Sequence, residues 1–463
     1  MAKKQDSYQC TECGWTSTRW VGRCGECQAW GSVVERGAPK LATVTSIAPS
    51  VDAVPITEVP ADSAKRQRTN IKELDRVLGD GLVPGAVVLL AGEPGVGKST
   101  LLLDVAAKWA SSDRTTLYIS GEESASQVRL RAERTKAMAP ALYLAAETDL
   151  GTVLGHVERI RPTLLVVDSV QTIATSETDG MPGGTTQVRE VTAALARMAK
   201  AHHLPVIIVG HVTKDGAIAG PRTMEHLVDV VLTFEGDRHS GFRMVRATKN
   251  RFGPADEVGC FEMSEHGIVE VPDPSGIFLS TRSEPTTGTC VTVTLEGRRP
   301  LLSEVQALVA DATNPTNPRR ATHGLDSSRI SMILAVLERR CGLKLGGKDV
   351  YASTVGGARL SDPSVDLAAA LAVTSALGDW NFQTRTVALG EVGLAGDLRR
   401  TPGVERRLAE AARLGFRLAI IPKGSRDVTV KVPNLGGMVV KEVETLDRAL
   451  QELYGHNPNL RLT

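Results

Sequence analysis

The run Val87-Val88-Leu89-Leu90-Ala91-Gly92-Glu93-Pro94-Gly95-Val96-Gly97-Lys98-Ser99-Thr100 constrains this chain more than any other stretch. An apolar strand feeds a Gly-rich loop, and the loop hands over to Leu101, Leu102, Leu103, Val105 and Ala106, which read as helix. Strand, G-x-x-x-x-G-K-S loop and helix in this order form a phosphate-binding unit. Gly92, Gly95 and Gly97 let the backbone turn its N–H groups toward a phosphate chain. The helix N-terminus adds partial positive charge. Residues Gly92, Glu93, Pro94, Gly95, Val96, Gly97, Lys98, Ser99 and Thr100 are therefore expected to cradle ATP. Lys98 reaches the β- and γ-phosphates, and the Ser99 hydroxyl ligates Mg²⁺.

A second signal lies near the N-terminus. Cys10-x-x-Cys13 and Cys24-x-x-Cys27 are two thiol pairs of the kind that share one tetrahedral Zn²⁺. The other three of the seven cysteines are scattered, which argues against a disulfide framework. Tyr8, Trp15, Trp20 and Trp30 concentrate the chain's scarce large aromatics here, so a metal with a few aromatics is expected to fold this short segment. A zinc ribbon is expected over residues 1–33. A Pro- and Ala-rich linker is expected over 34–65, where recurring prolines block long helix. The net charge of +1 excludes a global basic field, so any nucleic-acid surface must be local. No apolar run approaches a membrane span and no signal-peptide core follows Met1, so a cytoplasmic protein without membrane contact is expected.

Downstream of the phosphate loop, the β-rich run Thr116 to Ser120 is followed by Glu122 and Glu123. Carboxylates at the tip of a strand beside a phosphate site suit activation of the attacking water. They equally suit the start of a helix. Thr163 to Val167 is a buried strand ending in Asp168, placed to support the Mg²⁺ shell or to cap the turn after it. Ser176 to Thr186 reads as a mobile loop and Gln187 to Lys200 as helix. Leu204 to Val209 is another buried strand, with His211 at its tip as a candidate γ-phosphate sensor. Phe242 to Thr248 alternates like a strand near the domain edge and delivers Lys249 and Arg251.

Gly121-Glu-Glu-Ser124, Val167-Asp-Ser-Val-Gln-Thr172, Gln187-Val-Arg-Glu190, Gly210-His-Val-Thr-Lys214, Ala219-Gly-Pro221 and Lys249-Asn-Arg-Phe-Gly253 occur in one order behind the ribbon. On these motifs the chain resembles the bacterial RadA (Sms) family of DNA-repair ATPases, whose core is similar to RecA. The resemblance implies an α/β RecA-like P-loop core over 66–272, preceded by the ribbon. It implies a DNA-stimulated ATPase that forms a homo-hexameric ring and works with a RecA-type recombinase. It also implies binding of single-stranded and branched DNA and branch migration of recombination intermediates. Carried over residue by residue, it points to Glu122 as the water-activating base, with Glu123 as the alternative. It gives Lys249 and Arg251 a role across a subunit boundary or in DNA coupling.

Past a linker expected at 273–284, a mixed α/β domain is expected over 285–463. Its elements are a strand from Gly288 to Leu295, helices from Ser328 to Arg340 and from Asp366 to Ala376, and strands from Val387 to Gly393 and from Leu418 to Pro422. This half resembles the peptidase domain of Lon, which uses a serine and a lysine base. Ser364 falls where the serine would lie, but alignment of the Pro402 to Leu408 motif puts Glu405 in the lysine's place. A hydroxyl without a positioned base is a poor nucleophile, so a proteolytically inactive domain is expected, with Ser364 at a helix N-terminus. Arg319-Arg320 and Arg339-Arg340 are candidate phosphate contacts. The rival readings are an ATP-dependent protease, an ATP-gated scaffold without motor activity, and a signalling ATPase that phosphorylates protein.

Overall fold

The computed structural model describes residues 8–35, 54–58, 65–111, 113–211, 224–236, 241–280, 286–382, 385–426 and 435–454. The chain divides into two compact units, Met1–Ala61 and Asp62–Thr463. In the first, β1 (Tyr8–Cys10) lies between β2 (Thr16–Ser17) and β3 (Val33–Glu35), antiparallel to both. Pairing of Glu35 with Tyr8 carries the ribbon two residues past the expected boundary. Within the expected linker, Ile56–Glu58 forms one 3₁₀ turn, and 36–53 and 59–64 lie outside the described residues.

The second unit holds two large sheets. The first contains β4 (Val87–Gly92), β5 (Thr116–Ser120), β6 (Leu142–Ala146), β7 (Leu164–Asp168) and β8 (Val206–His211). It continues with β9 (Val230–Gly236), β10 (Phe242–Asn250), β11 (Val258–Ser264) and β12 (Gly267–Glu270). Spatial order is β12-β11-β10-β9-β4-β8-β7-β5-β6. From β9 to β6 the pairs are parallel, and from β9 to β12 they are antiparallel. The central strands β4, β7 and β8 are continuous apolar runs because both faces are covered. Val88 and Leu90 enter the core shared with α1 (Lys72–Leu78), α2 (Lys98–Trp109) and α3 (Ala125–Arg134). Val87, Leu89 and Ala91 enter the opposite core, shared with α4 (Leu150–Ile160) and α5 (Thr185–His202). Leu164 and Val166 part from Leu165 and Val167 in the same way, following the two-residue period of a strand.

Three details refine this part of the chain. β10 lies third from the sheet edge, between β9 and β11, so its residues pair on both sides. At the start of the polar stretch 176–186, buried Gln187 accepts from the Thr175 N–H (3.0 Å) and donates to the Thr175 and Thr178 carbonyls. Helix α5 also begins earlier than expected, at Thr185.

The C-terminal sheet is built from β13 (Thr289–Glu296), β14 (Arg299–Asp311), β15 (Arg320–His323), β16 (Lys348–Thr354) and β17 (Thr386–Ala388). The short pair β18 (Glu391–Val392) and β19 (Leu398–Arg399) comes after them, then β20 (Leu418–Pro422) and β21 (Val439–Val443). The seven-stranded order is β15-β16-β14-β13-β17-β20-β21, with β18 and β19 paired separately. The strand expected from Val387 to Gly393 is thus two strands in different sheets. The Ala-rich helix Asp366–Gly378 is buried from Asp366 through Ser375, as expected of a helix apolar on all sides.

The two sheets are joined tightly. The expected linker at 273–284 carries a short helix, Ser275–Phe278, whose Phe278 packs edge-on against Phe242 at 4.9 Å; residues 281–284 lie outside the described residues. The β13–β14 turn presses into the first sheet. Gly297, at φ +61°, sits so close that a Cβ there would come within 1.8 Å of the Asp256 carbonyl oxygen. Next to it, Arg299 (5% exposed) pairs with Glu73 (1% exposed) of α1 and donates to the Val258, Val271 and Pro272 carbonyls.

Candidate nucleotide site and metal ribbon

Parallel pairing aligns Gly92 with His211, and Ser120 with Asp168, so four strand tips open on one edge of the sheet. The phosphate loop leaves β4 there. Gly97 adopts φ +113° as the N-cap of α2, a conformation that favours glycine, and a Cβ there would meet the Met263 sulfur at 2.9 Å. Lys98 is 3% exposed, and its Nζ donates to the Gly92 and Glu93 carbonyls at 2.8 and 2.9 Å. Burial lowers its pKa from 10.5 to about 8, against the opposing pull of Asp168 and Glu122. Ser99 and Thr100 occupy the first turn of α2.

Asp168 ends β7 and is 8% exposed. Its Oδ2 accepts from Tyr118 Oη at 2.6 Å. Burial, then the neighbouring Asp168 charge, holds the Tyr118 phenol well above its ordinary pKa, so it serves as a donor. Asp168 does not cap the next turn, whose N-cap position is Ser169.

The two glutamates after β5 are separated by the backbone. Glu122 Oε1 accepts from Ser169 Oγ (2.6 Å) and lies 3.0 Å from His211 Nε2. Glu123 turns the other way and pairs with Arg131 of α3. Neither lies in a helical first turn, because α3 starts at Ala125 behind a Ser124–Gln127 capping box. His211 therefore meets the carboxylate of Glu122. Val212 to Lys214 and Ala219 to Pro221 lie outside the described residues.

Lys249 and Arg251 are not brought to this cluster. Antiparallel pairing sets Asn250 against Val230, and Val230 lies beside Val88, whereas Gly92 lies beside Phe234. Four residues of strand, roughly 13 Å, separate the two levels. Lys249 Nζ donates to the Glu225 and Val228 carbonyls, and Arg251 Nη1 pairs with Asp229 at 3.0 Å. Burial, then Arg251, lowers the Lys249 pKa. Asn250 Nδ2 reaches the Val77 and Leu78 carbonyls at the end of α1, at 3.4 and 3.3 Å.

In the ribbon, the ligand atoms of Cys10, Cys13, Cys24 and Cys27 all lie within 4.8 Å of one another. Two Sγ–Sγ separations are 3.7 Å (Cys10–Cys27) and 3.6 Å (Cys13–Cys24). A tetrahedral Zn²⁺ with bonds of ~2.3 Å needs sulfur separations of about 3.8 Å, so this thiol set fits the metal. Of the four ribbon aromatics, Tyr8 and Trp15 pack at the core, Trp15 over Gly25, where a Cβ would come within 2.8 Å of the ring, whereas Trp20 and Trp30 lie exposed.

In the C-terminal domain, Ser364 is fully buried inside the 3₁₀ turn Pro363–Val365, and Asp362 rather than Ser364 caps it. Ser364 Oγ accepts from Arg407 (Nη1, 2.8 Å), and the Ser364 side chain also hydrogen-bonds the Asp362 carboxylate. Arg407 is 1% exposed and also pairs with Asp362 at 2.7 Å. Of the candidate phosphate contacts, Arg320 Nη1 donates to the Lys348 carbonyl at 2.6 Å, while Arg339 and Arg340 lie exposed at the end of the helix Ser327–Cys341.

Sequence reasoning missed Tyr118, Ser169, Arg243 and Arg407. The first two belong to strings read for other features, and the arginines act through contacts distant in sequence. Arg243 Nε donates to the Val96 carbonyl of the phosphate loop at 3.0 Å.

A family model described as "AAA domain" matches residues 53–217. One described as "Rubredoxin metal binding domain" matches 8–35, and one described as "Subunit ChlI of Mg-chelatase" matches 356–425. The chain is 56% identical to the DNA repair protein RadA of Mycolicibacterium smegmatis over 433 residues, covering 91% of this chain and 92% of the relative. It is 53% identical to that of Mycobacterium tuberculosis, covering 97% and 94%. It is 44% identical to that of Halalkalibacterium halodurans, covering 98% and 100%. Among the described residues, no helix is long and apolar enough to cross a membrane.

Proposed function

The chain belongs to the RadA family of DNA repair proteins, and from that premise we propose a DNA-stimulated ATPase that drives branch migration. Its proposed substrates are single-stranded and branched DNA. The observation that carries the hydrolytic part is the fixed carboxylate of Glu122. Ser169 and His211 meet one of its oxygens, Oε1, so Oε2 is the one that takes a proton from the attacking water. Glu123, committed to Arg131, is set aside as the base. The loop from Gly92 to Thr100 holds the triphosphate, with Lys98 leaving its carbonyls for the phosphates. Ser99 and Asp168 would hold Mg²⁺, which screens the phosphate charge when bound. The four ribbon thiolates hold Zn²⁺.

The position of Lys249 and Arg251, away from their own phosphate loop, supports a role toward a neighbour in a homo-hexameric ring. Arg251, with its side chain 51% exposed, is the cation able to reach a neighbour's γ-phosphate; Lys249 shapes the strand end from which it projects. A RecA-type recombinase is the proposed protein partner. The protease reading is disfavoured at Ser364: the Arg407 guanidinium stays charged and cannot take its proton, and the neighbouring Asp362 carboxyl, which burial would raise, is held below its ordinary range by the Ser364 N–H and Arg407, which makes it a weak base.

ATP hydrolysis measured with and without single-stranded DNA tests this reading, with Lys98→Ala as the blank. Stimulation lost in Lys98→Ala leads to branched substrates with Lys249→Ala and Arg251→Ala, which should uncouple hydrolysis from strand movement. A flat response to DNA would refute the motor and favour an ATP-gated scaffold.

A further inference from the structure

The phosphate loop is supported from below by the antiparallel flank of the sheet. Loop N–H groups aimed at phosphate leave loop carbonyls aimed away from it. Val96 precedes the Gly97 N-cap, and the first helical bond, from the Leu101 N–H, goes to Gly97 instead. The Val96 carbonyl therefore needs a donor from elsewhere, and Arg243 of β10 supplies it through Nε at 3.0 Å. Arg243 is 8% exposed, and its Nη1 is anchored on the Phe242 carbonyl at 2.8 Å. Its cross-strand partner on β9 is Gly236, where a Cβ would come within 2.2 Å of Arg243 Cδ. The glycine thus makes room for the side chain to lie across the strand toward the loop.

We propose that Arg243 is a positioning residue for nucleotide binding, acting through the Val96 carbonyl to hold the phosphate loop open. It sits 145 to 151 residues beyond Lys98 to Gly92 in sequence, outside the Gly-rich motif. A buried guanidinium bonded to the Val96 carbonyl fixes the orientation of the Val96–Gly97 peptide, whose N–H points the opposite way, toward the side from which phosphate would approach. Its charge also lowers the cost of bringing a polyanion to the loop. The role concerns the ground-state grip on phosphate and leaves the water-activating group untouched.

Binding of a fluorescent ADP analogue to the full chain, without DNA, tests the proposal separately from the DNA-motor reading. Arg243→Gln should raise Kd about tenfold, as expected for loss of a charged hydrogen bond, while kcat at saturating ATP stays within about twofold. Arg243→Lys, which keeps a cationic donor near the carbonyl, should recover part of the loss. Gly236→Ala retains every charge but displaces the Arg243 side chain, and it should weaken ADP in the same direction. Arg246→Gln, further along the same strand and paired with Glu296, should bind as the parent does. Unchanged Kd in folded Arg243→Gln, or kcat falling while Kd holds, overturns the proposal. Where Arg243→Gln does not fold, unchanged Kd in Gly236→Ala overturns it.

Discussion

Raising the pH should weaken nucleotide binding through a single group, Lys98. Burial brings its pKa down to about 8, and its Nζ rests on two carbonyls rather than on a fixed counter-ion. A bound diphosphate supplies negative charge beside the ammonium and restores its pKa toward the ordinary lysine range. Below the free-state pKa the lysine is already charged and affinity is level; above it, binding must take up a proton. Linkage gives a weakening factor of 1 + 10^(pH − 8), which is about twofold at pH 8 and about elevenfold at pH 9, or roughly 1.4 kcal/mol. ADP is the suitable ligand because its terminal phosphate, like a phosphomonoester with its second pKa near ~6, is almost fully ionised across this range. Affinity would be measured from about pH 7.5 to about pH 9, with calorimetry in two buffers of different ionisation enthalpy to count protons. Proton uptake should approach one at the upper end. Lys98→Arg, charged throughout, should bind with a flat profile. A level Kd with no proton uptake in the parent would refute the reasoning.

Glu122→Gln should lower kcat by about 10²- to 10⁴-fold with little change in ADP affinity, whereas Glu123→Gln should stay within a few-fold; the reverse ranking would move the base to Glu123. Ser169→Ala, which leaves Glu122 with His211 alone, should cost about tenfold in kcat at unchanged Kd, and full activity would show that the Ser169 bond does not position the base. Arg299→Met removes the buried partner of the Glu73 carboxylate, leaving it the Cys260 N–H and the more distant Arg76, and should cost about 3 kcal/mol in denaturant unfolding, while the Glu73→Leu/Arg299→Met double variant should cost much less than the summed singles. Simple additivity would show that the pair is not coupled. Metal analysis should find one zinc per chain, lost in Cys13→Ser, with the ribbon's amide spectrum collapsing; a folded ribbon without metal would contradict the structural role.

What was legible in the sequence was whatever is local. The phosphate loop, the carboxylate ending β7 and the paired thiols each carry their chemistry within a few residues. The continuous runs of β7 and β8 read correctly as buried strands because no polar residue interrupts them. Reading failed where a partner lies far along the chain. Glu122 and Glu123 are equivalent as letters; only Ser169, His211 and Arg131 tell them apart. Glu405 aligned with a base position, yet the helix Val404–Arg413 turns Arg407 toward Ser364. Arg243 sits in an alternating strand that looked peripheral, and its contact with the phosphate loop crosses 147 residues. Alternation reports that a side chain leaves the sheet on a given face, not which loop waits there.

The β13–β14 turn bears on how such a protein can be cut into pieces. A fragment ending near residue 284 looks like a natural ATPase core, since it contains the phosphate loop, Glu122, Asp168, Ser169, His211 and Arg243. It would nonetheless expose the seat of Gly297 against Asp256 and leave the Glu73 carboxylate without Arg299 at the root of α1. The carbonyls at the other end of α1 are held by Asn250, in the same short string as Lys249 and Arg251. Loss of activity in that fragment would therefore report injury to the motor as readily as absence of the C-terminal domain's own contribution. Grafting Arg299 and its turn back onto the cut end is the control that separates the two.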